Sequence, residues 1–220
     1  MKTSIAKISV LAIVAVAFLS ADAMALSKRR YFPSLQHRSQ LELRIGVRDD
    51  THFDRFYEYN VIDREGLGNM VVTVGYNYWA DEHTAFNISA KVLAAETVDK
   101  YDEFGVYTSD FSVVALFLGA RQYFHRPGSH APLRPYVAIS GGPVIGSHTC
   151  SEVGFECLAE TKTIAAAGIH LGGGFDVVAG RHIMFGLNAG YNLLTDFSEP
   201  VGGHVNYSGS EFGASIGFIF

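Results

Sequence analysis

A chain of 220 residues with 22 acidic and 17 basic side chains carries a formal charge of −5, the wrong sign for a nucleic-acid partner, whose phosphates need clustered cations. Its residues are 48% hydrophobic and its mean hydropathy is +0.15, yet beyond the leader no apolar run reaches the roughly 20 residues of a spanning helix. Hydrophobicity without a run is dispersed in alternation, and the 23 glycines and 16 phenylalanines suit strands with small interior positions and aromatic girdles, a secreted β-sandwich being the alternative.

Residues 1–25 carry Lys2 and Lys7, an apolar stretch from Ile8 to Leu19, and small residues at Ala21, Ala23 and Ala25. This is the order of a secretory signal peptide, cleaved after Ala23 or Ala25 and taken here as ending at Ala25. A basic, irregular lead over 26–38 (Lys28, Arg29, Arg30, Arg38, with Pro33) precedes a domain over 39–220. There the first strand sets Leu41, Leu43, Ile45 and Val47 against Gln40, Glu42, Arg44 and Arg48. So many charges cannot face lipid, so their face is an interior. Residues 49–68 read as a long polar loop.

Strand two (69–79) turns Val72, Val74, Tyr76 and Tyr78 outward, and a tight turn over 80–84 leads to strand three (85–95), with Phe86, Ile88, Ala90, Val92 and Ala94 outward and Asn87, Ser89 and Lys91 inward. A second long loop is expected over 96–110. Strand four (111–124) is apolar on both faces from Val113 to Leu118, and Arg121 fixes its parity, because a lipid-facing arginine at depth costs roughly 2 to 4 kcal/mol. After a Pro- and Gly-rich turn over 125–134, strand five (135–146) puts Val137 and Ile139 outward, with Pro143 marking where pairing ends. A third loop spans 147–163. Strand six (164–178) sets Ile169, Leu171, Phe175 and Val177 against His170 and Asp176; strand seven (182–194) sets Ile183, Phe185, Leu187 and Leu193 against Asn188 and Asn192. A fourth loop covers 195–207. The closing strand (208–220) alternates Phe212, Ala214, Ile216, Phe218 and Phe220 with Glu211, Gly213, Ser215 and Gly217.

Eight strands joined by alternately long and short connections predict an all-β, eight-stranded antiparallel transmembrane up-and-down barrel. With Leu118-Gly119-Ala120-Arg121, Arg134-Pro135-Tyr136-Val137 and the final Phe218-Ile219-Phe220, the chain resembles the small eight-stranded bacterial outer-membrane proteins of the OmpA, OmpX and opacity-protein type. The resemblance covers residues 40–220 and includes no peptidoglycan-binding domain. It implies an outer-membrane location, lipid and lipopolysaccharide as surroundings, and recognition of Phe212, Phe218 and Phe220 by the barrel assembly machinery. It also implies a non-enzymatic role in surface interaction, adhesion or envelope integrity, through contact with a host or surface ligand; a narrow channel of the OmpW type and a lipid A-modifying enzyme are the alternatives.

Acidic residues outnumber basic ones in each of the four long connections, which leaves them solvated or suited to divalent cations or a basic partner. Seven charges fall on the interior face: Glu42, Arg44, Arg48, Lys91, Arg121, Asp176 and Glu211. In a barrel this narrow they must pair with one another or with trapped water, as a structural plug or as a proton or ion path. Cys150 and Cys157 share the third loop and are expected to form a disulfide in an oxidising compartment, with zinc beside His148 as the alternative. No cofactor or metal is expected. The one catalytic constellation to weigh is His204 with Ser208 and Glu211, whose spacing departs from the His-x-Ser-Asn pattern of lipid A deacylases.

Overall fold

Two-residue periodicity becomes nine antiparallel strands in the computed structural model, which describes residues 34–50, 61–102, 105–124, 133–152 and 160–220. They are β1 (Ser39–Asp50), β2 (Val61–Gly66), β3 (Met70–Trp79), β4 (Thr84–Asp102), β5 (Gly105–Tyr123), β6 (Leu133–Glu152), β7 (Glu160–Ala179), β8 (Ile183–Leu194) and β9 (Gly209–Ile219). The order β4-β3-β1-β9-β8-β7-β6-β5 closes on itself through β5 and β4, so eight strands make the wall of an all-antiparallel barrel. Closure gives every wall strand a partner on both sides, which an open sheet cannot do. The ninth, β2, continues the line of β3: β3 takes β4 from Val92 to Ala85, and β2 takes it from Lys100 to Glu96.

Side chains follow the pleat. Leu41, Val74, Ile88, Leu118, Ile139, Phe175, Phe185 and Phe218 are exposed on the outside, while Glu42, Lys91, Arg121, Asp176 and Glu211 are buried inside. Every apolar residue assigned outward in β1 and in β5 to β9 lies on that outer face. Ala94 is the exception in β4: it is buried, because an extra residue, Leu93, interrupts the register between Val92 and Ala94 and turns the following side chain inward.

The barrel has two unlike ends. β1 begins and β9 finishes at one of them, which also carries the short connections; we call it the terminal end and the other the loop end. At the terminal end Asp81 Oδ1 accepts from the amides of His83 (2.6 Å) and Thr84 (2.8 Å), closing the β3–β4 turn, and these two amides hold the Asp81 carboxyl below its ordinary range. Gly180, at φ 80°, makes the β7–β8 turn, a conformation only glycine takes without strain. Residues 34–38 of the expected lead also fold here: Leu35 is fully buried, and the His37 amide donates to Trp79 O at 2.8 Å.

At the loop end the strands outrun the expected boundaries. β4 and β5 have 19 residues each and β6 and β7 have 20, against 10 to 12 in β1, β3, β8 and β9. The segments read as loops over 96–110 and 147–163 are largely continued hairpins, paired out to Asp102↔Gly105 and Cys150↔Glu160. Polar cross-strand contacts support them, as from Thr97 Oγ1 to Asp110 Oδ1 (2.6 Å) and between Ser109 Oγ and His148 Nε2 (2.6 Å). Pro143 interrupts pairing without ending it: the β5–β6 ladder skips from Ala115↔Val144 to Leu118↔Gly141 and resumes on both sides. Cys157 and the side chain of Cys150 lie outside the described residues, as does the expected signal peptide.

Candidate functional site

The interior is the chemically dense part of the molecule, and strand parity puts each of its residues there. Toward the terminal end Glu42 on β1 is the hub. It accepts from Arg121 Nη2 on β5, from Arg44 Nη2 at 3.1 Å and from Asn77 Nδ2 on β3 at 2.9 Å. Asn77 also donates to Gln40 Oε1 (2.9 Å) and accepts from Asn87 Nδ2 (2.7 Å). Arg121 Nη1 lies 3.9 Å from Asp176 Oδ2 on β7, which takes a hydrogen bond from the Tyr123 hydroxyl at 2.8 Å. The Arg121 guanidinium sits 5.2 Å from the Tyr136 ring centroid, and Trp79 and Tyr136 flank Tyr123 at 6.1 and 5.4 Å, flooring this end with aromatic rings.

Nearer the loop end a second group forms around Lys91 on β4. Its ammonium donates to Glu211 Oε2 (2.7 Å) on β9 and to Asn192 Oδ1 (3.1 Å) on β8. Asn192 Nδ2 donates to the same Glu211 oxygen at 3.0 Å, and His170 Nδ1 lies 2.9 Å from Asn192 Oδ1, the geometry of a ring N–H donating to an amide oxygen. Arg48 stands above, its guanidinium 5.1 Å from the Tyr207 ring centroid. The seven interior charges therefore separate into Glu42, Arg44, Arg121 and Asp176 below, Lys91 and Glu211 in the middle, and Arg48 on an aromatic face.

Above them the interior changes character. Val71, Leu93, Phe111, Val113, Ala115, Phe117, Val144 and Leu194 from the wall meet Phe197, Val201 and Tyr207 from the connection between β8 and β9 in one buried apolar cluster. That connection folds into the mouth: the Phe197 amide donates to Val205 O (2.7 Å) and the Tyr207 hydroxyl to Val201 O (2.6 Å). A soluble-style core thus caps a polar one. This explains why β5 is apolar on both faces from Val113 to Leu118: one face looks outward and the other supports the cap.

Sequence reasoning missed Arg134. The expected turn over 125–134 includes it, but β6 begins at Leu133, two residues before the expected strand, and carries it inward, 5% exposed and opposite Asp176 in the ladder. Its signal was parity, since Arg134 and Tyr136 are two apart on one strand face. The polar amides Gln40, Asn77 and Asn192 were on the interior face but carry no charge to draw notice. The hydroxyl of Ser208 is taken up by the Leu194 backbone, accepting from its amide at 2.9 Å, and Glu211 is held by Lys91 and Asn192, so neither is set to serve His204 as a nucleophile or an orienting carboxylate. Among the described residues no group of three or more His, Cys, Asp or Glu side chains is arranged to hold a metal ion.

Phe212, Phe218 and Phe220 stand on the outer face at 60%, 55% and 58% exposure. Phe218 stacks between His182 (5.8 Å) and Phe220 (6.3 Å), and the Phe220 backbone exchanges hydrogen bonds with Ser39 at 2.9 and 3.0 Å. The two ends of the barrel sequence are thereby tied together.

No family model matches this sequence, and no curated protein matches it. Solved structures do. Neisserial surface protein A is 11% identical with a TM-score of 0.51, the match covering 83% of this chain and 96% of that one. Ail, the attachment invasion locus protein of Yersinia pestis, in its complex with the heparin analogue sucrose octasulfate, is 11% identical with a TM-score of 0.50, over 84% of this chain and 99% of that one. At such identities the likeness is one of architecture, and it agrees with the closed ladder: the chain has the fold of the small eight-stranded outer-membrane β-barrels.

Proposed function

We propose that this protein is a non-enzymatic barrel of the bacterial outer membrane, closed to solute flow, that holds its long connections at the cell surface for contact with a partner or for envelope integrity. The observation that carries this reading is the filled interior. Two paired charge groups and an apolar cap occupy successive levels of the barrel, and the cavity among the charges has a volume of only about 30 Å³. Outside, the belt of exposed Leu, Ile, Val and Phe would be costly in water and is matched to hydrocarbon.

The acidic connections make a basic surface, or a divalent cation shared with anionic lipid, the partner they suit. A sulfated ligand of the kind bound by Ail would meet charge of its own sign. Planar-bilayer recording on the refolded protein tests the closed reading. No steady conductance is expected; a stable open level would move the assignment to a narrow channel, and a mass change in lipid A on expression would move it to an enzyme.

The closing strand supplies a second test. Phe220→Asp places a charge in the aromatic girdle beside Phe218, and it is expected to slow membrane insertion in a pulse-chase experiment several-fold while leaving the interior groups untouched. Wild-type insertion kinetics would remove the aromatic end as an assembly determinant.

A further inference from the structure

The two ends of the barrel differ in charge as well as in shape. Acidic residues prevail in the long connections, whereas the sequence of the lead and the short connections holds Lys28, Arg29, Arg30, Arg38, Arg126 and Arg181 against only Asp81 and Glu82. Arg134 adds to these bases but is turned inward. Both acids belong to the β3–β4 turn, and the strand order sets β1 and β9 between that turn and the one joining β7 to β8.

Beside the end of β9 two of these bases meet. Arg38 Nη1 donates to Arg181 O at 3.2 Å, reaching from the lead to the β7–β8 turn. The backbone on both sides of that contact is fixed: the Ile219 amide donates to His182 O (2.7 Å), and Phe220 exchanges its bonds with Ser39. Neither guanidinium forms an ion pair among the described residues. The wall next to them is apolar, with Ile183, Phe218 and Phe220 exposed on the outer face and the His182 ring stacked on Phe218. Unpaired cations thus stand at the margin of a lipid-facing surface, the level at which head groups lie.

A ligand that uses both features carries an anion above an acyl chain. Free phosphate or the acidic peptides of a cell wall would engage the guanidinium groups and leave the aromatic wall untouched. We propose that this end of the barrel docks an anionic glycerophospholipid, phosphatidylglycerol being the simplest, with its phosphate on Arg38 and Arg181 and its acyl chains along Ile183, Phe218 and Phe220. One head group then bridges β1 and β8, the strands on either side of β9. Such docking rests on the outer-membrane reading above, with the short connections on the inner side, and adds to it a preference for lipid charge at that end.

Native mass spectrometry tests this on the protein refolded in micelles that contain equal amounts of phosphatidylglycerol and phosphatidylethanolamine. The wild type is expected to retain phosphatidylglycerol about tenfold or more over phosphatidylethanolamine, since each of two bases contributes to the attraction. Arg38→Gln with Arg181→Gln should abolish the preference, while Lys162→Gln, which removes an exposed base at the loop end, should keep it. Equal retention of the two lipids by the wild type, an unchanged preference in the double variant, or the same loss in Lys162→Gln would each overturn the proposal. Retention of neither lipid would overturn it together with the membrane reading. Pelleting with purified peptidoglycan that depends on Arg38 and Arg181, without a lipid preference, would overturn it in favour of the cell wall; if the double variant does not fold, the wild-type competition and Lys162→Gln decide.

Discussion

Arg121→Ala is expected to destabilise the barrel by about 3 to 5 kcal/mol, read as a lowered urea midpoint of the protein refolded into liposomes. The guanidinium is 4% exposed and is shared between Glu42 and Asp176. Removing it leaves Glu42 with Arg44 and Asn77, and Asp176 with Tyr123 alone, in an interior that cannot rehydrate them fully. The control lies three residues away on the same strand. Leu118 is 65% exposed on the outer face, where lipid fills the space its truncation leaves, so Leu118→Ala should cost less. The reverse order would mean that the orientation of β5 is wrong, and so would labelling of a cysteine at position 121 by a lipid-soluble reagent.

The second large effect concerns the cap. Phe197→Ala is expected to undock the connection between β8 and β9 at a cost of about 3 to 5 kcal/mol, the range for deleting a buried phenylalanine side chain. Phe197 is 5% exposed and meets the Tyr207 ring edge-on at 6.1 Å. Gly202 follows the same logic from the other side: at φ 55°, a side chain there would meet the Phe111 ring at 2.3 Å. The wall ladder gains nothing from Phe197, so the variant should keep heat-modifiable migration on a gel while residues 195–207 are cleaved at least about a hundredfold faster by a protease. Wild-type cleavage would show that the connection is held by its hydrogen bonds alone.

Alternation made the wall legible, because lipid and interior impose opposite demands on successive residues. Leu41 to Val47 and Ile183 to Leu193 could be assigned without any structure, and Arg121 could fix β5 by cost alone. The method weakened where those demands lapse. Beyond the apolar belt both faces of a strand meet polar surroundings, so the hairpins through Asp102 and Glu152 looked like loops. Leu93 is invisible to a strict count of two, since an inserted residue shifts parity without changing composition. The partners of the interior charges lay further out of reach: parity says that Lys91 and Glu211 are inside, but their meeting depends on the stagger of β4 and β9 around the barrel.

The pairing of β1 with β9, from Gln40↔Ile219 to Asp50↔Gly209, joins residues at opposite ends of the domain. Every other wall contact is between strands that lie nearer in sequence, so this one seam has by far the longest sequence separation of any pairing in the barrel. Its loop-closure entropy must be met before any of its ladder forms, and until then β1 and β9 both present raw edges. Closure, an intramolecular event, is therefore expected to be the slow step of refolding. Aggregation should compete with that step alone, and a short synthetic peptide copying 209–219 should trap the open form.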